Sequence, residues 1–356
     1  MRIAIHQTKE SFSEKWIEYC KIHHINYKIV NCYDSDIIQH LADCDALMWH
    51  WPQTDYKATQ FARQLLYALD FKGLTVFPNS NTCWHYDDKL GQKYLFEAIQ
   101  VVTPQTTVFY DQLIAAEWAE NAVYPKVFKL SGGAGSSNVH LIKTRKQAHH
   151  SIKTAFGKGF STVSRIGLLT ERLWHLKRDR SVRALLNIAK GVARLFIPTE
   201  LEKRSLKEQG YFYFQEFIPL NTFDIRVIVI GRRAFGIKRM VRANDFRASG
   251  SGSIIYEPQE IHPECLKLAF EYNKKIKSQS VAYDFIFRNN QILLIEISYA
   301  FLHEVYRKCP GYWDEQLNWH PGNFYSEWFM IEDIINEVKE KTKTYHHENS
   351  HSSQVG

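Results

Sequence analysis

At 356 residues, 45% hydrophobic and 23% charged, the chain has the length for two or three domains with cores of their own and the balance of a water-soluble globular protein. It contains no window of eighteen apolar residues, and its start, MRIAIHQT, passes from one arginine straight into a short strand-like run, so neither a spanning helix nor a secretory leader is expected. The net charge of +7 is concentrated: Ser151 to Gly210 carry 13 Lys or Arg against 5 Asp or Glu, and the rest of the chain is close to neutral.

Residues 1 to 84 alternate β-like and helical runs: RIAI, SEKWIEYCKIHH, YKIVNC, DIIQHLADC, ALMWHW, QFARQLLYALDF and LTVFPN. That spacing predicts a small parallel sheet with helices packed on it. No GxGxxG follows the first strand, so a dinucleotide site is not expected. The six cysteines (Cys20, Cys32, Cys44, Cys83, Cys265, Cys309) lack CxxC spacing, which argues against a zinc site or a disulfide framework and for a reducing cytoplasm.

From His85, HYDDKLGQKYLFEAIQ spaces Tyr86, Leu90 and Tyr94 as a helix, with Asp87 or Asp88 as its cap. Lys89 and Lys93 then share one side of it, and this helix alone leaves a solvated basic face open as the reason. VVTPQTTVFY reads as a turn and a strand, and Asp111 to Asn121 as a helix. In YPKVFKLSGGAGSSNVHLI (Tyr124 to Ile142), alternation puts Val127 and Lys129 on one face of a strand, with Lys126 and Leu130 on the other. The loop that follows, with Gly132, Gly133 and Gly135 among Ser131, Ser136 and Ser137, lets backbone N–H groups converge on an anion, although a plain hairpin turn has the same composition. It is not a Walker A loop, because no GK[ST] ends it.

YFYFQEFIPL (Tyr211 to Leu220) is an apolar strand interrupted by Gln215 and Glu216. DIRVIVIGRRAFGIKRM (Asp224 to Met240) reads as a hairpin turning at Gly231, and NDFRASGSG (Asn244 to Gly252) as a second small-residue loop that carries Arg247. SVAYDFIFRNNQILLIEIS (Ser280 to Ser298) is another hairpin, turning at Asn289-Asn290, which sets Asp284 opposite position 295 or 296. Facing carboxylates at roughly 4 Å repel by about 4 kcal/mol at an effective dielectric near 20, so a cation between Asp284 and Glu296 is expected, and hard oxygens of this kind suit Mg²⁺ with phosphates in its shell. The residues alone leave open that the two face opposite sides or that each finds its own arginine.

Taken in order, Lys89, Lys129 with its glycine and serine loop, the QEFI hinge, DIRV, DFR and DF…EIS resemble the ATP-grasp superfamily over roughly Trp84 to Ala300. The likeness is greatest to the ribosomal-protein glutamate ligase (RimK) and glutathione synthetase type. The resemblance implies an α/β (α+β) chain: a Rossmann-like pre-ATP-grasp domain over 1–84, a small lid over 85–217, a C-terminal mixed-sheet domain over 218–340 and a disordered tail over 341–356. It implies that Lys89 and Lys129 hold nucleotide phosphates, that the flap Gly132 to Asn138 (with Gly133, Gly135, Ser136 and Ser137) covers them, and that Glu216, Phe217 and Ile218 read the adenine edge. Asp224 matches the acid placed for the ribose, Arg247 and Arg226 the arginines at the transferred phosphoryl, and Asp284 and Glu296 two Mg²⁺ ligands. Ser298 stands where the family's third ligand, an asparagine, is usual. The implied activity is ATP-dependent ligation of a carboxylate to an amine through an acyl phosphate.

The basic segment His150 to Gly210 falls where the family has a short connection, and LLTERLWHLKRDRSVRALLNIAKGVARLF reads as helical. A helix packed on the lid, contact with an anionic membrane face or lipid-linked substrate, and nucleic acid compete for it; the scarcity of aromatics counts against single-stranded nucleic acid. Phe301 to Met330 hold 9 aromatic residues in 30, against 14% in the whole chain. Interrupting Gly, Pro and Asn suggest a loop-rich surface with exposed rings on which a sugar could stack. The pattern CPGYWDEQLNWHPGNF resembles ATP-grasp proteins of bacterial surface-polysaccharide clusters, which implies small-molecule or glycan-linked carboxylate and amine substrates. A rival from another class is an ATP-grasp protein that binds nucleotide without ligating anything.

Overall fold

The computed structural model describes residues 1–53, 55–132, 138–161, 207–241, 247–248 and 252–352, without the side chains of Tyr56 and 345–352. Four strands, β1 (Ile3–His6), β2 (Tyr27–Val30), β3 (Ala46–Met48) and β4 (Thr75–Phe77), form a parallel sheet in the order β2-β1-β3-β4. The sequences IAIH, ALM and TVF are buried throughout, as strands covered on both faces must be, while β2, at one edge, is partly exposed. Ile3, Ile5, Met48 and Phe77 meet helix α1 (Ser13–Ile22) and the C-terminal helix, whereas Ala4, Leu47 and Val76 meet Ala58, Ala62 and Leu66 of α3 (Tyr56–Phe71). Two short helices, α2 (Ile37–His40) and α4 (Ser80–Cys83), complete this unit.

Helix α5 (Lys89–Ala98) leads into an antiparallel sheet of β5 (Thr106–Phe109), β6 (Lys126–Lys129), β7 (Val139–Ile142) and β8 (Phe212–Glu216), ordered β5-β8-β6-β7. Phe128, Leu130, Phe212 and Phe214 turn one face of it against α6 (Gln112–Asn121) and α7 (Arg145–Phe156). Strand alternation therefore gives Val127, Lys129, Tyr213 and Gln215 to the opposite face.

The third sheet holds β9 (Phe223–Ile230), β10 (Arg233–Met240), β11 (Ile254–Ile255), β12 (Ser280–Arg288), β13 (Gln291–Ser298), β14 (Gly311–Asp314) and β15 (Trp319–Pro321). Every pairing in it is antiparallel, so parallel pairing is confined to the N-terminal sheet and the C-terminal sheet is not mixed. Helix α8 (Pro263–Ile276) covers one face of it, the short α9 (His303–Tyr306) follows β13, and α10 (Ser326–Ser352) closes the chain. The two hairpin turns fall where glycine and asparagine predict them, with Gly231 and Asn289 both in the left-handed region.

Two further expectations are corrected. Helix α10 runs on to Ser352, through most of the tail expected to be disordered, because Met330, Ile331, Ile334 and Val338 anchor its first half and the Glu337–Lys341 pair continues it; 353–356 lie outside the described residues. The aromatic stretch is not a surface of exposed rings either. Phe301, Tyr306 and Trp313 are buried, Trp319 packs 4.5 Å from Trp313, and Leu302 is the single exposed large hydrophobic between 301 and 330 among the described residues. The β14–β15 hairpin extends the sheet and folds its rings inward. Of the basic segment, 162–206 lie outside the described residues, but its two ends meet in an antiparallel bridge: Phe160 and Glu208 exchange backbone hydrogen bonds of 2.8 and 2.9 Å. The helical reading of 168–196 falls in the part not described. No helix among the described residues is long and apolar enough to cross a membrane.

Candidate active site

The antiparallel registers set one polar row across four strands. Asp284 on β12 stands opposite Glu296 on β13 and opposite Arg226 on β9, and Asp224, two residues from Arg226 and so on the same face, stands opposite Arg239 on β10. A bulge between Asp284 and Phe285 takes up Ile295, which brings Glu296 into line. Ser298 pairs with Ala282 one step along. Farther along β9 and β12 the same face becomes apolar, with Ile228, Ile230 and Ala282 in the core against α10.

Within the row, charges alternate. Arg226 clasps Asp284 with Nε and Nη2 at 2.5 and 2.6 Å, Arg239 reaches the same carboxylate with Nη2 at 2.9 Å, and Arg239 is in turn gripped by Asp224 at 2.7 and 2.5 Å. Burial alone would raise the Asp284 carboxyl, but the two guanidiniums outweigh it and hold it below the usual carboxylate range. The cations expected between the facing carboxylates are therefore supplied in part by protein: two arginines for Asp284, and Lys89 for Glu296 at 3.5 Å.

Lys89 comes from the first turn of α5, capped by Asp88, whose carboxylate accepts the Gly91 N–H. A lysine there opposes the helix dipole, at a cost of about 0.3–1 kcal/mol, yet it is only 5% exposed and directed to Glu296. Its backbone N–H donates to the Ser131 carbonyl at the start of the glycine loop, tying helix and loop together. Lys129, last residue of β6 and on the sheet face turned away from α6 and α7, is 6% exposed. Burial pushes its ammonium down to about 8; Glu296 and Asp284 pull it up and Lys89 pushes it down. Four separate elements, α5, β6, β12 and β13, thus bring Lys89, Lys129, Asp284 and Glu296 to one place.

Of the flap, Ser131, Gly132 and Asn138 are described; Gly133, Gly135, Ser136 and Ser137 lie outside the described residues. The Ser131 and Gly132 N–H groups donate to Glu208 at 2.7 and 2.9 Å, so a carboxylate occupies the start of the predicted anion nest. Glu216 ends β8, where its N–H donates to the Gln105 carbonyl at 2.8 Å and its carboxylate accepts from Arg288; Phe217 and Ile218 follow, with Ile218 buried. Between β8 and Lys89 lies a cavity of about 300 Å³ lined by Lys89, Lys93, Gln105, Tyr213, Gln215 and Ile295 among others. Arg247 is half-buried, and it lies near enough to His140 on β7 to depress that imidazole together with burial, which acts more strongly.

Sequence reasoning did not single out Arg239, Glu208 or Gln92. Arg239 was within reach, because it and Asp224 are equidistant from the Gly231-Arg232 turn and must pair across it. Glu208 gave no signal, since its partners lie far back in the chain. Gln92, buried on α5, donates to the Ile297 and His85 carbonyls and accepts the Ile297 N–H, pinning the helix to β13.

A divalent cation can be tested against this donor set. A carboxylate offers about four lone-pair sites. Three on Asp284 are taken, one at Oδ1 is left, and Glu296 engages Lys89 through Oε1, so each carboxylate can still give one oxygen. The Ser298 hydroxyl donates to the Ala300 carbonyl at 2.7 Å and keeps its acceptor capacity. Among the described residues no cluster of three His, Cys, Asp or Glu side chains forms a cage. Such a set fits Mg²⁺, which takes one or two carboxylates and completes its shell with phosphate and water.

Residues 199–308 match the family model of the RimK-like ATP-grasp domain. A RimK domain ATP-grasp protein from Sphaerobacter thermophilus superposes with a TM-score of 0.52 at 14% identity, covering 94% of this chain and 99% of that one. D-alanine–D-alanine ligase from Bacillus anthracis, solved with ATP, gives 0.54 at 11%, covering 96% and 99%. The biotin carboxylase domain of Hydrogenobacter thermophilus 2-oxoglutarate carboxylase, solved with MgADP and bicarbonate, gives 0.54 at 13%, covering 92% and 68%. No curated protein matches the chain. The fold is the ATP-grasp fold.

Proposed function

We propose that this chain is an ATP- and Mg²⁺-dependent ligase that activates a carboxylate as its acyl phosphate and joins it to an amine. The observation that carries the reading is the convergence of two buried lysines from different elements on a carboxylate pair, beside a cavity of about 300 Å³ at the lid hinge. A structural core has little use for Lys89 and Lys129 at 5–6% exposure, whereas a triphosphate needs both. Bound Mg²⁺ would supply charge neutralisation at the phosphoryl oxygens.

In this reading the cavity takes the base, Lys89 and Lys129 hold the phosphates, and Asp284 and Glu296 each give one oxygen to the metal. The substrate carboxylate oxygen attacks the γ-phosphorus as the bond to ADP breaks. An amine then attacks the acyl carbon, inorganic phosphate leaves with the C–O electron pair, and the amine proton is lost to solvent. Arg226 and Arg239 supply the positive field for both steps. The packed aromatic stretch gives no support to sugar stacking, so the acid and amine are proposed as small molecules without a glycan. Ser298 favours one second reading, a nucleotide-binding protein that transfers nothing, because a hydroxyl is a weaker metal donor than an asparagine carbonyl.

Phosphate release from ATP and Mg²⁺ against a panel of acids, with hydroxylamine added to trap the acyl phosphate, separates the two. An acid-dependent hydroxamate that vanishes in Glu296→Gln supports the ligase. Tight ATP binding with no hydroxamate from any acid leaves the silent binder.

A further inference from the structure

We propose that the outer face of α6 and α7 is a docking surface for an anionic lipid bilayer. Lys143, Lys146, Lys153 and Lys158 supply its charge, and Leu113, Ile114 and Val123 its apolar contacts. Nothing in it depends on what the carboxylate row binds.

From position 143 to position 158 the chain holds five Lys or Arg and no Asp or Glu. One of the five, Arg145, is taken up by Glu120 of α6 at 3.0 Å, and His149 meets the same carboxylate at 2.6 Å. The four lysines are exposed, and none of them makes an ion pair among the described residues. Lys146, His150 and Lys153 stand at i, i+4 and i+7 and so line one side of α7, while Ala148, Ile152 and Ala155 are buried on the other. Solvent-facing helices elsewhere in the chain mix their signs: α8 pairs Lys267 with Glu264 and Lys275 with Glu271, and α10 pairs Lys341 with Glu337. A face of one sign repels itself instead, and an anionic partner relieves that repulsion.

The apolar part adjoins this stripe. Leu113 and Val123 are 79% and 80% exposed, and Ile114 is 58% exposed. On α6, Leu113 lies two turns from Glu120 on the same side, and Glu120 is the residue that bonds Arg145 and His149. Glu117, between them, is the one acid left unpaired on that side, against four lysines on α7. Val123 follows the end of α6 beside Tyr124, whose hydroxyl is within electrostatic reach of Arg145. Aliphatic side chains this open next to unpaired lysines favour a bilayer over a nucleic acid. The aliphatic groups can enter the headgroup boundary while the lysines meet acidic headgroups, whereas a phosphodiester backbone rewards the charge alone. Lys129, Tyr213 and Gln215 lie on the opposite face of the same sheet, so docking leaves the cavity side open.

The test is sedimentation of the full chain with phosphatidylcholine vesicles that contain about 30% phosphatidylserine. The parent should bind them, ignore pure phosphatidylcholine, and lose affinity as salt is raised. Lys146→Gln combined with Lys153→Gln should weaken binding about tenfold, and Leu113→Gln combined with Val123→Gln about fivefold. All four positions are exposed, so both variants should unfold in urea close to the parent. Unchanged vesicle binding in either double variant would overturn the proposal, as would a parent that ignores the acidic vesicles. Duplex DNA serves as the probe for charge alone. DNA bound as tightly as the vesicles, with the Leu113 and Val123 changes weakening neither, would give the face to nucleic acid and overturn the proposal too.

Discussion

Lys89 Nζ and Glu296 Oε1 lie 3.5 Å apart and join the first turn of α5 to the end of β13. Glu296 is about a third exposed, whereas its cross-strand neighbour Asp284 is buried under two arginines. Their removal should therefore separate stability from function. Glu296→Gln should cost under about 1 kcal/mol in urea unfolding, as partly exposed pairs do. Asp284→Ala leaves Arg226 and Arg239 uncompensated and should cost about 3–5 kcal/mol. Equal losses in the two variants would mean that the arginines do not depend on Asp284.

Lys129 supplies a pH signature. Burial holds its folded pKa near 8, below the unfolded lysine value, so between those two values the unfolded chain binds the extra proton and stability rises with pH. Nucleotide phosphates favour the charged form, so binding should move the other way. ADP affinity should fall as pH passes about 8, and binding at pH about 8.5 should take up a proton, seen as a dependence of the calorimetric heat on buffer ionisation enthalpy. Affinity that stays flat to about pH 9.5 would contradict a buried, phosphate-facing Lys129.

Much of this was legible because strands and turns are local. The Asn289-Asn290 turn alone sets Asp284 against position 295 or 296, and only the bulge at Ile295 is needed to choose 296. The parity of YPKVFKL separates Lys129 from the lid core. The alternation of the first 84 residues gives the parallel sheet without reference to any contact. Partners distant in sequence were not legible: Glu208 meets Ser131 across 77 residues, and nothing near either one announces it. The aromatic stretch misled for a related reason, since Gly and Pro can mark a hairpin that buries its rings as well as a loop that shows them. The pairing of Asp224 with Arg239 was also legible, in the register of their own hairpin.

The β9–β10 turn can be tested apart from the site. Gly231 has φ +54, and a Cβ there would run into the Asp333 carboxylate, which also binds Arg233 at 2.8 Å. Gly231→Ala should therefore lose about 1–3 kcal/mol through backbone strain and the displaced ion pair. At the sister turn Asn289 has φ 53, a conformation that asparagine tolerates, so Asn289→Gly should lie within about 0.5 kcal/mol of the parent. A Gly231→Ala variant as stable as the parent in urea would show that the turn relaxes freely.

Glu208 makes the sharpest prediction about the loop. Its carboxylate accepts the Ser131 and Gly132 N–H groups, together with the Tyr211 hydroxyl, and so stands where a phosphate oxygen would be received. A negative side chain on those donors must be displaced before a nucleotide can use them, and its charge opposes the approach of a triphosphate. Glu208→Gln removes the charge and weakens the acceptor while keeping the shape, so ATP affinity should rise by about three- to tenfold, with the gain smaller at high salt. Were Glu208 instead a fixed brace that shapes the loop, the same change would lower ATP affinity, and Tyr211→Phe, which removes the hydroxyl that donates to that carboxylate and accepts the Ser131 N–H, would lower it too. The direction of the Glu208→Gln effect thus decides whether the base of the basic segment competes with nucleotide or prepares its site.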